Sequence, residues 1–520
     1  MMMKKKSLKM LVFSFLLYFV AQFKFLNDSW FGTDELDIMV LGKSIARGHL
    51  LYKDLCSQHM PFSYYISALF DFLGFRTVDE QRLAFYILIA FFWALIYVRY
   101  SHVINNKALF LSPIIFCSVL QSYDWGTQIL SEHLAGCGAV ILLLEYLDFL
   151  NTKEITFTTS IMVSIAVILT FGTMFIGIYA VFFIGLGVLL CEIGLFVKEK
   201  NSFRIWIIYM LKKYLKLIII VSFPWVLLFG YYSVTGTMRD FVFGAYTLNR
   251  TIYQEYIGGM GSNVFALFFQ PVDMVGNFFV STMNISEWTY STILFLILII
   301  GAVIFVGKKW IAKKRTEAII IFMFTFSLGV RGVFSFHGTA SVEVLTLLFS
   351  SVLFDDFIGE KSEFMNKSVY MQSAIYVLLF FVLSGYFRDI SEVASIKIND
   401  ETMGREASIV KAITDEDESV WCPVFRNDIL MMSDRSVGLG YPATPWTWRG
   451  YEKKFKEDSL SPARVLIYYE GHDVWGNKQE EYAKPIEQLV KKEYTQIDDL
   501  CIFVRNDYYN DAKKIIDSLE

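Results

Sequence analysis

The chain has 520 residues, 55% of them hydrophobic and 17% aromatic, with a mean hydropathy of +0.45. Soluble globular proteins are far more polar, so a water-soluble enzyme is excluded and the recurring apolar runs read as a multi-pass membrane protein. The net charge of −4 excludes nucleic acid and other strongly charged polymers as partners.

The first segment, MMMKKKSLKMLVFSFLLYFVAQFKFL, has a basic start and an apolar run long enough to span. No small-x-small cleavage site follows, so it reads as an uncleaved anchor with its lysines in the cytoplasm. Next comes the stretch from Trp30 to Phe75, with adjacent carboxylates at Asp34 and Glu35 and a second polar cluster at Tyr52-Lys53-Asp54 and Gln58-His59-Met60-Pro61. Apolar residues fall at helical spacing, first Ile38, Leu41 and Ile45, then Phe62, Ile66, Leu69 and Leu73. Asp34 suits an N-cap, Gly48 a helix end and Pro61 a first turn. The pair is expected to lie in the membrane interface and to hold an acidic site at the lipid–water boundary.

Windows of about 20 residues place further spans near 81–101, 107–122, 132–150, 155–172, 174–197, 215–234, 290–307, 316–331, 338–354 and 368–386. With the first run, 8–26, that predicts about eleven spans. The basic clusters Lys4–Lys6, Lys198–Lys216 and Lys308–Arg315 all then fall on the cytoplasmic side, as the positive-inside rule requires. The same count puts 27–80, 123–131, 235–289, 331–338 and everything after 387 outside.

The outer loop 235–289 mixes Arg239, Asp240, Asn249, Arg250, Tyr253, Glu255 and Tyr256 with aromatics. That composition suits a sugar or phosphate, and it equally suits an interfacial belt of Tyr and Trp. From about 387 the composition turns charged and soluble. SVWCPVF, ARVLIYY and CIFVRND predict short strands, and KQEEYAKPIEQLVKKEY predicts a helix. The expected organisation is a membrane domain over 1–386 and an extracytoplasmic α/β domain over 387–520. Gly438–Gly450, rich in aromatics and proline, reads as a loop that either packs or touches a glycan. Six cysteines show no metal-type spacing. Cys117, Cys137 and Cys191 sit in apolar runs as small core residues; Cys422 and Cys501 are free thiols or, outside the cell, a pair.

Few ionisable residues are predicted inside the spans. They gather at the outer ends: Asp34, Glu35, Asp54, His59, Asp124, Glu132 with His133, Arg331, His337 and Glu343. Charges within spans mark conduits, whereas charges collected at one face suit an enzyme working at that interface. A carboxylate pair beside basic groups fits group transfer from a phosphate-activated donor. One acid takes the proton of the acceptor hydroxyl, and Arg, His or a bound divalent cation neutralises the departing phosphate. His133 and His337 fit such a role and also fit that of hydrogen-bonded structural residues.

Taken together, these features resemble the polyprenyl-phosphate-sugar-dependent glycosyltransferases of the GT-C fold, which include protein O-mannosyltransferases and the lipid A aminoarabinose transferase. The similarity is carried by Asp34-Glu35 after the first span, then Ala46-Arg47-Gly48, Tyr52-Lys53-Asp54 and His59-Met60-Pro61. Ser131-Glu132, the Arg331–His337 stretch, Asp434-Arg435 and Tyr441–Thr444 extend it. The resemblance implies Asp34 as base or acceptor-positioning acid, supported by Glu35. It implies Tyr52, Asp54, His59, Arg331 and His337 around the donor phosphate, with Glu132, His133, Arg250 and Tyr253 supporting or near the acceptor. The implied partners are a polyprenyl-phosphate sugar donor, a glycan, glycolipid or protein acceptor, and the bilayer of a bacterial cytoplasmic membrane. Where the aminoarabinose transferases carry Glu-Lys-Pro-Pro, this chain has Gln58-His59-Met60-Pro61, so the ligating acid of that motif is absent and metal use stays open. A polymerase or ligase of lipid-linked oligosaccharides and a lipid-carrier flippase are the alternatives.

Overall fold

The computed structural model describes residues 33–120, 128–199, 202–257, 290–328, 339–358, 400–438, 443–457 and 463–519, with scattered residues between 9 and 19. The chain forms two compact units. One comprises Met1–Asp28, Phe85–Leu228 and Asn263–Ser395; the other comprises Ser29–Ala84, Phe229–Ser262 and Ile396–Glu520.

The first unit is helical. Its centre is the helix Ser131–Thr152, whose residues from His133 to Phe149 are all buried. A helix apolar on every face belongs inside a bundle, and small residues let its neighbours close in. A Cβ on Gly138 would lie 2.6 Å from the carbonyl oxygen of Ala166, and one on Gly136 3.1 Å from that of Ala340. Those contacts bring Phe157–Thr170 and Thr339–Val352 against it. The long helix Phe203–Val234 instead turns Ile205, Leu211, Leu215, Ile218, Phe223, Val226 and Leu227 outward. An exposed apolar stripe of that length is what a helix shows to lipid.

Among the described residues four helices, not eleven, are long and apolar enough to cross a membrane: Val78–Tyr100, Ser131–Thr152, Phe175–Lys198 and Phe203–Val234. The apolar runs near 107–122, 155–172, 316–331 and 338–354 do form helices, but these have 15, 14, 13 and 14 residues. At about 1.5 Å per residue, Phe157–Thr170 and Arg315–Ser327 fall short of a hydrocarbon core of about 30 Å, whereas Asn106–Leu120 and Thr339–Val352 each meet the edge of the described residues, and Thr339–Val352 runs on into the π-helix Leu353–Ile358. The run near 290–307 begins at the edge of the described residues, in the helix Tyr290–Ile311; those near 8–26 and 368–386 lie mostly or wholly outside them. The basic stretch Lys198–Lys216, expected as a loop, is largely absorbed into the 32-residue helix Phe203–Val234.

The spans are also less free of charge than expected. At the far end of the central helix, Glu145 and Asp148 face Arg99 at 3.4 and 3.5 Å, and the Tyr100 hydroxyl donates to Glu145 at 2.6 Å. Glu192, almost wholly buried, pairs with Lys213 at 2.5 Å. Each acid has a basic partner, as burial in an apolar bundle requires.

In the second unit the two predicted helices appear as Thr33–Ala46 and Phe62–Phe72. Asp34 lies in the first turn rather than at the cap. Gly48, at φ +97°, ends the chain's turn out of the first helix, and Pro61 precedes the second. The first helix is not amphipathic in place. Residues from Leu36 to Ser44 are buried except for partial exposure at Asp37, because Phe62–Phe72, Asn427–Met432 and the strand Ser436–Val437 pack around it. The second helix keeps an exposed apolar end at Leu69, Phe72 and Leu73.

The C-terminal portion is α/β. Strands Ser419–Val420 (β1) and Ser436–Val437 (β2) pair in parallel. Val465–Ile467 (β3), Asp473–Val474 (β4), Asn477–Lys478 (β5), Tyr494–Gln496 (β6) and Ile502–Arg505 (β7) follow. They form an antiparallel sheet ordered β3-β7-β6 and a β4-β5 hairpin. The predicted helix over KQEEYAKPIEQLVKKEY divides into Gln479–Tyr482 and Lys484–Glu493, since Pro485 has no N–H for a preceding turn but fits a first one. The expected loop Gly438–Gly450 becomes helix from Pro445 onward, with Trp446 and Trp448 buried. Cys422 and Cys501 are both free thiols.

Candidate functional site

The first helix brings three acids to one end, and each meets a different environment. Glu35 is sealed: its two oxygens accept from Nε and a terminal nitrogen of Arg82 at 2.9 and 2.6 Å, and both side chains are essentially inaccessible. Arg82 was not singled out by the sequence reading. It follows the acid by 47 residues, a separation with no local signature.

Asp34 and Asp37 remain partly accessible. Asp37, three residues on and therefore on the same side of the helix, accepts the Tyr64 hydroxyl at 3.0 Å. Behind it a relay continues: Ser57 Oγ donates to the Tyr64 oxygen at 2.9 Å, and the His59 N–H donates to Ser57 Oγ at 3.1 Å. Burial pushes the Asp37 carboxyl up to about 7, and the negative charge of Asp34 adds to the rise while the Tyr64 hydrogen bond opposes it. A carboxyl poised near neutrality can take or give a proton at working pH. The signal available in the sequence was the third acid of Asp34-Glu35-Leu36-Asp37, about one turn beyond the first.

Tyr52 sits at φ +70° with its hydroxyl donating to the His59 carbonyl at 2.7 Å, and it is fully buried against the rings of Tyr232 and Phe241. The Asp54 carboxylate accepts the Leu50 N–H at 2.7 Å, closing the turn between Leu51 and Leu55. These two shape the segment that carries Ser57 and His59. Lys43, also buried, donates to Asp434 at 2.9 Å, and Arg47 joins it at 2.6 Å. Burial lowers the Lys43 ammonium below its usual range, with Asp434 working in the opposite direction. The Asp434 carboxyl loses water too, yet the two cations hold it below its ordinary value.

Of the outer-loop candidates, Tyr253 is a buried core residue, with ring contacts to Trp446 at 5.0 Å. Arg250 is exposed and donates to the Tyr246 hydroxyl at 2.6 Å. Neither belongs to the acid cluster. Arg331 and His337 lie outside the described residues.

Glu132 is partly exposed, whereas His133 is buried in the helical unit, where the structure gathers it with Cys137 and Glu343. His133 Nε2 stands 3.3 Å from Glu343 Oε1, and the Cys137 thiol donates to the same oxygen at 3.6 Å. The ligand atoms of the three all lie within 4.8 Å of one another, a geometry compatible with a metal ion. From its apolar run Cys137 reads as core packing; its position four residues after His133, on one helix face, is the sequence signal for this cluster.

The fold defines the class: a multi-span helical membrane protein with a C-terminal α/β extension outside the span-forming helices. No protein-family model matches the sequence, and no curated protein matches it.

Proposed function

We propose that the protein is a membrane glycosyltransferase that moves a sugar from a polyprenyl-phosphate donor to a hydroxyl of a cell-surface glycan, glycolipid or protein. The acceptor side is the outer face of a bacterial cytoplasmic membrane, with the N-terminus inside. The observation that carries the reading is Asp37, a carboxyl held near neutrality beside Asp34 and hydrogen-bonded to Tyr64. In this reaction the Asp37 carboxylate accepts the acceptor's hydroxyl proton as that oxygen bonds to the sugar's anomeric carbon. The carbon–oxygen bond to phosphate breaks, and its electron pair leaves with the polyprenyl phosphate. Asp34, the base expected from sequence, acts through its charge by keeping Asp37 basic. His59, in the same unit as Asp37, is the group we assign to the departing phosphate, with a divalent cation where one is bound.

The test is transfer of labelled sugar from a synthetic polyprenyl-phosphate donor into membranes, comparing wild type with Asp37→Asn and Asp34→Asn at matched abundance. Loss of about 10²-fold or more in Asp37→Asn is expected for a missing general base; undiminished transfer in both variants ends the proposal.

The paired charges Arg99, Glu145 and Asp148 inside the helical unit support a second reading, a flippase for a lipid carrier. A flippase moves its cargo only between two leaflets. Transfer by protein in detergent, where no leaflets exist, separates the two.

A further inference from the structure

His133, Cys137 and Glu343 belong to the helical unit, whereas Asp34 and Asp37 belong to the other. We propose that they bind a zinc ion, tying the helix Ser131–Thr152 to the helix Thr339–Val352.

His133 and Cys137 are four residues apart on one helix and so project from the same face. Glu343 comes from the facing helix. Zinc bonds of about 2.0 Å to nitrogen or oxygen and about 2.3 Å to sulfur, set tetrahedrally, give ligand–ligand edges of about 3.3 Å for N···O and about 3.5 Å for S···O. The observed separations are 3.3 and 3.6 Å.

A hydrogen bond accounts for the Cys137 contact but not for the approach of His133. Neither ring nitrogen of His133 has a hydrogen-bond partner among the described residues, although Nε2 is within 3.3 Å of a carboxylate oxygen, and Glu343 Oε2 has none either. Close approach without hydrogen-bond geometry is how ligands sit around a shared ion. Among the described residues the imidazole is flanked by apolar rings, Phe85 and Phe116, with centroids 5.1 and 5.4 Å away. Buried polar atoms left this way are costly.

Gly136 supplies a second, independent sign. A Cβ there would meet the Glu343 carboxyl carbon at 2.8 Å and Oε2 at 3.0 Å. The carboxylate therefore occupies the space that the glycine leaves open, between its two partners on the helix. Donor chemistry chooses the metal. Magnesium and calcium take oxygen ligands, whereas one imidazole, one thiolate and one carboxylate suit a borderline-soft ion. Binding releases the Cys137 thiol proton to solvent. Thiolate and carboxylate then balance the two positive charges, which leaves a neutral site in an apolar bundle. Three protein ligands leave one tetrahedral position for a water.

The experiment uses the full-length protein in detergent, stripped of metal and titrated with cobalt, then zinc. Wild type is expected to develop thiolate-to-cobalt charge-transfer absorption and the visible bands of tetrahedral cobalt, both erased by zinc. Elemental analysis should then find about one zinc per chain. Cys137→Ser should lose the charge-transfer band, Glu343→Gln and Gly136→Ala should bind at least about tenfold more weakly, and Cys191→Ser should match wild type. Failure of excess cobalt to produce the thiolate band in wild type overturns the proposal, as does its persistence in Cys137→Ser. Because wild type alone decides the first point, a misfolded variant cannot rescue the idea. A negative result leaves the sugar-transfer reading where it stood.

Discussion

Replacing Arg82 by Met tests whether the second acid of Asp34-Glu35 is structural. Glu35 and Arg82 are 0% and 1% exposed and joined by two short hydrogen bonds. Removing the guanidinium leaves a carboxylate inside protein without its counter-ion, a change that costs about 3–5 kcal/mol. Removing both charges, in Glu35→Leu/Arg82→Met, takes away the desolvation burden along with the attraction and should return stability to within about 1 kcal/mol of wild type. The double-mutant cycle should therefore show a coupling of about 3 kcal/mol or more. Unfolding of the full chain in mixed micelles, followed by tryptophan fluorescence, measures all four corners. The same four proteins assayed for sugar transfer separate structure from chemistry, since a purely structural pair leaves the double variant active. An Arg82→Met variant that loses less than about 1 kcal/mol, or a stable double variant that is inactive, would refute the assignment.

Asp37 carries a folded value of about 7 against an ordinary 3.8, so the folded state holds the extra proton between these limits. Stability should fall as pH rises from about 4 to 7, by up to about 4 kcal/mol, and Asp37→Asn should flatten that slope in pH-dependent unfolding curves. Transfer should run the other way, rising through pH 7 as the base is freed. Gly42→Ala should destabilise by about 1–3 kcal/mol despite alanine's better helix propensity. Its Cβ would meet Ser67 Oγ at 2.4 Å and the Ala68 nitrogen at 2.9 Å, and Ser67→Gly should recover part of the loss in the same denaturation assay. Asp434→Asn leaves the buried Lys43 ammonium without its counter-charge and should cost about 3 kcal/mol, while Arg47→Ala, at a partly exposed site, should cost less than about 1 kcal/mol; thermal melts rank the two.

Much of this arrangement was legible in local signals. The helices Thr33–Ala46 and Phe62–Phe72 followed from apolar spacing with Gly48 and Pro61 as punctuation, and β3 and β7 from their β-branched runs. What escaped notice was set by distant partners. A helix reads as amphipathic when its charges are assumed to face water, yet Glu35 and Lys43 are buried because Arg82 and Asp434 reach them through the fold. Hydropathy windows likewise report how apolar a run is and not where its helix stops. The run over 155–197 breaks between Thr170 and Ile178, where Gly172 and Gly177 lie among turns and a short 3-10 segment. Cys137 looked like packing because Glu343, its partner, lies 206 residues away.

The acid motif shows why adjacent residues in sequence take separate duties. On a helix each step rotates the side chain by about 100°, so residues one apart diverge and residues three apart converge. Asp34 and Glu35 therefore point about 100° apart. Glu35 points to Arg82 and is closed off; Asp37 returns to the side of Asp34, where Tyr64 meets it and loss of water lifts its carboxyl toward neutrality. The two acids that fall on one side of the helix are Asp34 and Asp37, and the charge of the first raises the carboxyl of the second. The ion pair of Glu35 ties this helix to Arg82, so the acid most conspicuous beside Asp34 in the sequence is held by the fold rather than turned to solvent.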